Sequence, residues 1–151
     1  MRRKDREIKD KNEIEAIINS AIICRLAMID EDYPYIVPLC FGYEDNTLYF
    51  HSASQGKKLD ILKKNNRVCF EFDIDQRLKM GEKACEWGMT YKSVIGFGKA
   101  YFLKDFQIKR NALDHIMRNY ADGSFEYSEP EIKNTTVIKV EIEQMTGKAS
   151  P

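Results

Sequence analysis

The chain has 151 residues, a length that suits one domain built around one core, and 43% of them are hydrophobic, with eight Phe, eight Tyr and one Trp available to fill it. Lys plus Arg and Asp plus Glu stand at 24 each, so no overall positive field exists to draw a nucleic-acid backbone or an anionic membrane surface. Apolar runs such as Ala21 to Cys24 are far shorter than the ~20 residues of a membrane span, and the charged opening MRRKDREIKDK is followed by no apolar signal stretch.

The Arg- and Lys-rich residues 1–10 read as a solvated or frayed terminus. Asp10 and Glu13 stand in capping-box spacing ahead of Ile14, Ile17 and Ile18, which predicts a helix over 10–19. Apolar, β-branched residues from Ile22 to Ile29 predict a strand, DEDYP a turn, and the alternation of Tyr35, Val37, Leu39, Phe41 and Tyr43 a second strand. The turn at 44–46 leads into TLYFHS, so the second and third strands should form a hairpin that ends near His51. Leu59, Ile61 and Leu62 then suit a short helix closed by Asn65 and Asn66.

Val68, Phe70, Phe72 and Ile74 alternate with Cys69, Glu71 and Asp73, the clearest strand pattern in the chain. A polar linker over 76–92 precedes the strand SVIGFGKAYFL; a helix over 105–120 carries Ile108, Ala112, Ile116 and Tyr120 at four-residue steps, and TVIKVEIEQM is the final strand. With hairpin-length early turns and no strand-helix-strand repeat, the prediction is a single mainly β (α+β) domain over 1–151: a six-stranded antiparallel barrel with about three peripheral helices. The four cysteines are isolated, without the C-x-x-C spacing of a zinc or redox site, which points to a reducing, cytoplasmic setting in which they pack as small hydrophobes.

The stretch LYFHSASQGKKLDIL raises a question about chemistry, because it places Lys57 and Lys58 where a strand gives way to a helix. Lysines are electrostatically unfavourable at a helix N-terminus, whereas an anion there meets unpaired N–H groups and the positive dipole end. Ser52 and Ser54 add hydroxyls and Gly56 permits close backbone approach, so the turn has the makings of a phosphate cradle; solvated lysines are the plain alternative. Pro38 lies within a strand, where its missing N–H marks a sheet edge, either simply protected or open to a flat ligand bordered by Val37, Leu39 and Phe41. GFGKA at 96–100 lies inside a strand and opens no helix, so it is no dinucleotide fingerprint; its glycines suit curvature or close approach.

CRLAMIDEDYPYIVPLCFGYEDNTLYFHSASQGKKLDIL, together with RVCFEFD, ACEWGMTYKSVIGFGKA and VIKVEIEQMTGK, resembles the flavin-binding split-barrel proteins. More narrowly, it is similar to the nitroimidazole-resistance subgroup related to pyridoxamine 5′-phosphate oxidase, over nearly the whole chain and in one order. The resemblance implies a six-stranded split barrel that binds FMN and works as a homodimer, with two cofactor sites shared across the interface; FAD and haem are the alternative cofactors. By the same likeness Val37, Pro38, Leu39 and Phe41 would border the isoalloxazine, His51 and Ser52 would line the ribityl chain and ring, and Lys57 and Lys58 would meet the phosphate. Trp87, Ser93, Val94 and Ile95 would complete the pocket from the partner subunit. The arginine-rich signatures of the vitamin B6 oxidases are missing from the C-terminal strand, which argues against that reaction.

Flavin chemistry needs no acid/base triad from the protein. The implied activity is a flavin-dependent reductase acting on small nitroaromatic or related electrophiles, with a flavin or haem carrier or sensor without turnover as the alternative. His51 is the candidate catalytic residue, as a proton or hydrogen-bond donor, although a cofactor contact suits it better; His115 reads as a helix-packing residue. A barrel for single-stranded nucleic acid would need a basic groove that the charge balance does not supply.

Overall fold

A computed structural model describes residues 3–151. A short 3-10 turn, Lys4–Arg6, leads into β1 (Glu7–Ile8), which pairs with the far end of the chain as Glu7↔Lys148 and Ile8↔Gly147. Ile8 is buried and Arg6 donates to Ser150 Oγ at 2.9 Å, so the terminus expected to fray is tied down from Arg6 onward; residues 1 and 2 lie outside the described residues. α1 (Lys11–Ser20) begins where the sequence places it, with Asp10 Oδ1 accepting from Glu13 N at 3.0 Å, and buries Ile14, Ile17 and Ile18.

β2 (Cys24–Asp30) and β3 (Tyr33–Leu39) form a hairpin whose turn sets Glu31 at φ 57°. β4 (Gly42–Glu44) and β5 (Thr47–Ser52) form another, turning through Asp45 and Asn46 at φ 43° and 61°, the paired left-handed residues of a type I′ loop. The run from Tyr35 to Tyr43, expected as one strand, is therefore two, broken at Cys40 and Phe41. β3 pairs with β2, and β4 with β5.

Through the other strands, β6 (Arg67–Lys79), β7 (Gly88–Leu103) and β8 (Thr136–Ser150), the hydrogen-bonded order is β3-β2-β6-β7-β8-β5-β4. β3 and β4 thus lie at opposite ends of the path, yet two residues join them. A link that short forces the sheet to curl until its ends meet, and the result is an antiparallel split barrel. Tyr120 holds the join: its hydroxyl accepts from Phe41 N at 2.8 Å and donates to the Ile22 carbonyl at 3.1 Å. Cys40 is exposed at this seam rather than buried, while Cys24 is buried and Cys69 partly so.

The polar stretch 76–92 is a continuation of β6 and β7 rather than a linker. After a bulge between Ile74 and Arg77, with Asp75 at φ 58°, the ladder runs on to Lys79↔Gly88 and closes over a 3-10 turn at Ala84–Glu86. Both faces of this two-stranded ribbon meet solvent, so it carries no apolar alternation to announce it. The other helices are α2 (Lys57–Lys64), α3 (Phe106–Arg118) and α4 (Glu129–Asn134), so the described residues form eight strands and four α-helices where six and about three were expected. α4 opens on a capping box between Ser128 and Glu131, and the buried Lys109 of α3 closes it by donating to the Lys133 carbonyl at 3.3 Å. None of the described helices is long and apolar enough to cross a membrane.

Inside the barrel Leu26, Leu48, Phe50, Phe70, Phe72, Val94, Ile138 and Val140 are fully buried. Gly96 lies against the Phe70 ring: an added Cβ would overlap it, with Cε2 2.7 Å and the Gln144 carbonyl 2.8 Å away. Gly98 similarly lies against Val140 Cγ1, 3.0 Å from an added Cβ, which accounts for the two glycines of GFGKA as close-approach positions. We expect Gly96→Ala to lower stability by about 1–3 kcal/mol through overpacking, measured as a shift of the urea midpoint with unchanged slope. Tyr120→Phe, which removes the hydroxyl bridging the seam, is expected to cost about 0.5–1.5 kcal/mol in the same measurement.

Candidate functional site

β5 ends at Ser52, and residues 53–56 carry the chain to α2. Gly56 is the residue before the helix, at φ 145° and ψ 159°, a conformation that favours glycine, and no side chain caps the helix start. The Gly56 carbonyl accepts from Leu59 N at 2.9 Å and Asp60 N at 3.2 Å, leaving the amides of Lys57 and Lys58 as the leading donors of the helix. Leu59, Ile61 and Leu62 are buried and anchor α2, which packs on β2, so these donors sit on a fixed element.

The two lysines differ in surroundings. Lys57 Nζ lies 2.8 Å from Asp30 Oδ2 and 4.9 Å from the centroid of the Tyr35 ring, and the Asp30 hydrogen bond, followed by its charge, raises the Lys57 pKa. Lys58 is half-buried, and burial lowers its pKa; among the described residues no carboxylate lies within ion-pairing distance of it. A partly desolvated ammonium beside uncapped amides is a donor set that fits a phosphate group.

The strands supply the neighbouring surface. The β4–β5 ladder stops at Gly42↔Tyr49, and β3 pairs with β2 alone, so the outer edge of β3 and the end of β5 face the seam without a strand between them. Val37 and Leu39 are half-buried against the core, Pro38 is exposed on this edge strand, His51 is exposed at the register of Val137, and Ser52 is half-buried at that of Thr136. The Phe41 side chain is fully buried, with its centroid 4.7 Å from that of Phe72, because the chain turns inward there to close the barrel, so at the seam Phe41 has its backbone rather than its side chain to offer.

Trp87, Ser93, Val94 and Ile95 lie on or before β7, three strands across the sheet from β3. Trp87 follows the 3-10 turn at the ribbon tip and is half-exposed, and Ile95 is exposed on the outer face. Ser93 is buried, and Val94 is wholly in the core, so the Val94 side chain, like that of Phe41, presents no surface to a ligand. The outer face carries an apolar row across four strands, Ile36, Ala27, Cys69 and Phe97, in continuous register. Ile36 is 58% and Phe97 47% exposed, and a depression of about 320 Å³ lined by Ala27, Pro34, Cys69 and Phe97 opens on this face.

Sequence reasoning missed Asp30 and Tyr35 as partners of Lys57. The acidic turn DED was visible, but only the folding of α2 against β2 brings it to the lysine. It also missed Arg25 on the outer face, which pairs with Glu71 at 2.9 Å and with Asp73. A depression of about 490 Å³ between α1 and the β6 bulge is lined by Ile17, Ile22, Asp73, Gln76 and Lys92 and does not include the lysine turn.

The family described as pyridoxamine 5′-phosphate oxidase matches residues 10–149. The chain is 42% identical to a candidate 5-nitroimidazole antibiotic resistance protein from Bacteroides thetaiotaomicron, with a TM-score of 0.86 over 95% of this chain and 86% of that one. The FAD and haem binding protein from Mycobacterium smegmatis superposes with a TM-score of 0.87 over 96% of this chain and 73% of that one, but at 16% identity, which speaks for the fold alone. An uncharacterized protein of Rhizobium meliloti is 30% identical over 64 residues, 42% of either chain. With the match spanning nearly all of the sequence and the barrel topology in agreement, this chain belongs to the pyridoxamine 5′-phosphate oxidase family of flavin-binding split barrels.

Proposed function

We propose that the chain binds FMN at the seam between β3 and β5, works as a homodimer, and transfers reducing equivalents from the flavin to small nitroaromatic or related electrophilic compounds. The observation that carries the reading is Lys58, a half-buried ammonium without a carboxylate partner at the uncapped start of α2. Desolvating such a charge is unfavourable unless a counter-charge arrives, and a phosphate monoester provides it. The 42% identity to the nitroimidazole-resistance structure supports the choice of substrate class.

In this reading Lys57, Lys58 and the first amides of α2 hold the phosphate. Val37, Pro38 and Leu39 border the ring along the edge strand, and Ser52 and His51 line the ribityl chain. The flavin, when bound, supplies the electron and hydride chemistry. The protein positions and shields: the exposed apolar row on the outer face, with Ile95 next to Phe97 on β7, and Trp87 at the ribbon tip are surfaces a second copy would cover, and covering them would exclude water from the ring. In this reading His51, exposed on β5, contacts the cofactor rather than serving as an acid/base catalyst.

Replacing both Lys57 and Lys58 with Met is expected to weaken FMN binding by about 10- to 100-fold, the loss of one or two charge-assisted hydrogen bonds, with riboflavin affinity unchanged; quenching of flavin fluorescence on titration reads both. With FMN bound, anaerobic NADH or NADPH should drive loss of nitroimidazole absorbance, and His51→Ala should retain most of this rate. A protein that carries FMN without any flavin-dependent nitro loss would be a carrier rather than a reductase.

A further inference from the structure

The β2–β3 hairpin turns through three consecutive carboxylates, Asp30, Glu31 and Asp32, and the first of them meets the lysine pair. Asp30 is the last residue of β2, in register with Tyr33, and its side chain is about 70% buried, so the ladder and the tight turn hold its carboxylate in place. Its Oδ2 lies 2.8 Å from Lys57 Nζ, and the Tyr35 ring, two residues beyond Tyr33 on β3, lies 4.9 Å below the same ammonium. Lys58, one residue on, has no such partner among the described residues.

We propose that Asp30 is a built-in competitor for Lys57, so that an anionic cofactor tail binds by ion exchange and Asp30 sets both its affinity and its salt dependence. This rests on the reading that the start of α2 receives a phosphate. Lys57, Lys58 and Asp30 together give the cradle a net single positive charge, whereas a phosphate monoester brings close to two negative ones. The tail must share or displace the Asp30 carboxylate, and the two anions repel each other across one ammonium. Lys57 is 59% exposed on its side chain, and an ion pair so open to solvent is weak, so the competition trims affinity without blocking the site. A flavin without phosphate does not enter the exchange.

The experiment is titration of wild type, Asp30→Asn, Lys57→Met, and the two combined with FMN and with riboflavin, at low and high salt. Asp30→Asn should bind FMN about two- to fivefold more tightly at low salt, with steeper salt dependence and the same riboflavin affinity. Asp30→Ser should act in the same direction, which separates loss of charge from any effect of Asn on the turn. In the Lys57→Met background the gain should vanish. FMN affinity that is unchanged or lower in Asp30→Asn, or a gain that persists without Lys57, overturns the competition while leaving the phosphate site standing. Wild type that fails to bind FMN, or binds it no more tightly than riboflavin, overturns the site and the competition together.

Discussion

The constraint on which the rest depends is the two-residue join between β3 and β4. Strands at opposite ends of a seven-strand path can be adjacent in sequence only if the sheet closes on itself. Closure at Cys40 and Phe41 is incomplete, since β3 and β5 do not pair across it, and the gap leaves strand edges with free hydrogen-bonding groups. A fold that must close, but closes with a gap, leaves unpaired strand edges at the seam where the proposed flavin site lies. The inward turn of Phe41 is the local cost of that geometry and explains why its side chain belongs to the core.

Next to this gap the chain sets the one helix whose start has no side-chain cap. α1, α3 and α4 each begin with an Asp or Ser side chain accepting from the first turn, whereas α2 begins with a glycine. The helix is secured by its buried Leu59, Ile61 and Leu62 instead, so its leading amides need not be satisfied internally. Lysine there, in place of the acidic residues that a helix start favours, makes sense as part of an anion site. In the proposed cradle Asp30 competes for Lys57, which it meets at 2.8 Å, so that opposite charge stands beside the lysine pair.

Much of this was legible in the sequence because it is local. The α1 cap, the 45–46 turn, the strand around Phe70 and the lysines at the strand-to-helix join each depend on residues within a few positions of one another. The break at Cys40 was not legible, because Leu39, Phe41 and Tyr43 continue the alternation straight through it: odd positions point inward both before and after the seam. The ribbon over 76–92 escaped for the opposite reason, since two solvated faces leave no pattern to detect. α4 could have been found, because Ser128, Pro130 and Glu131 are a helix-start signature that the surrounding loop obscured. Asp30 could not, since its partner lies 27 positions away and meets it only through the docking of α2 on β2.

Tyr120 stands just beyond α3, yet one oxygen atom there grips both the crossover at Phe41 and the segment leading into β2. Three parts of the chain that are remote in sequence are thereby made to breathe as one. The Phe41 amide is held by a residue just beyond the third helix, so its exchange with solvent should report on undocking of that helix rather than on fraying of a strand end. A phenol at the rim of a barrel in this way acts as a rivet between the crossover and the approach to β2.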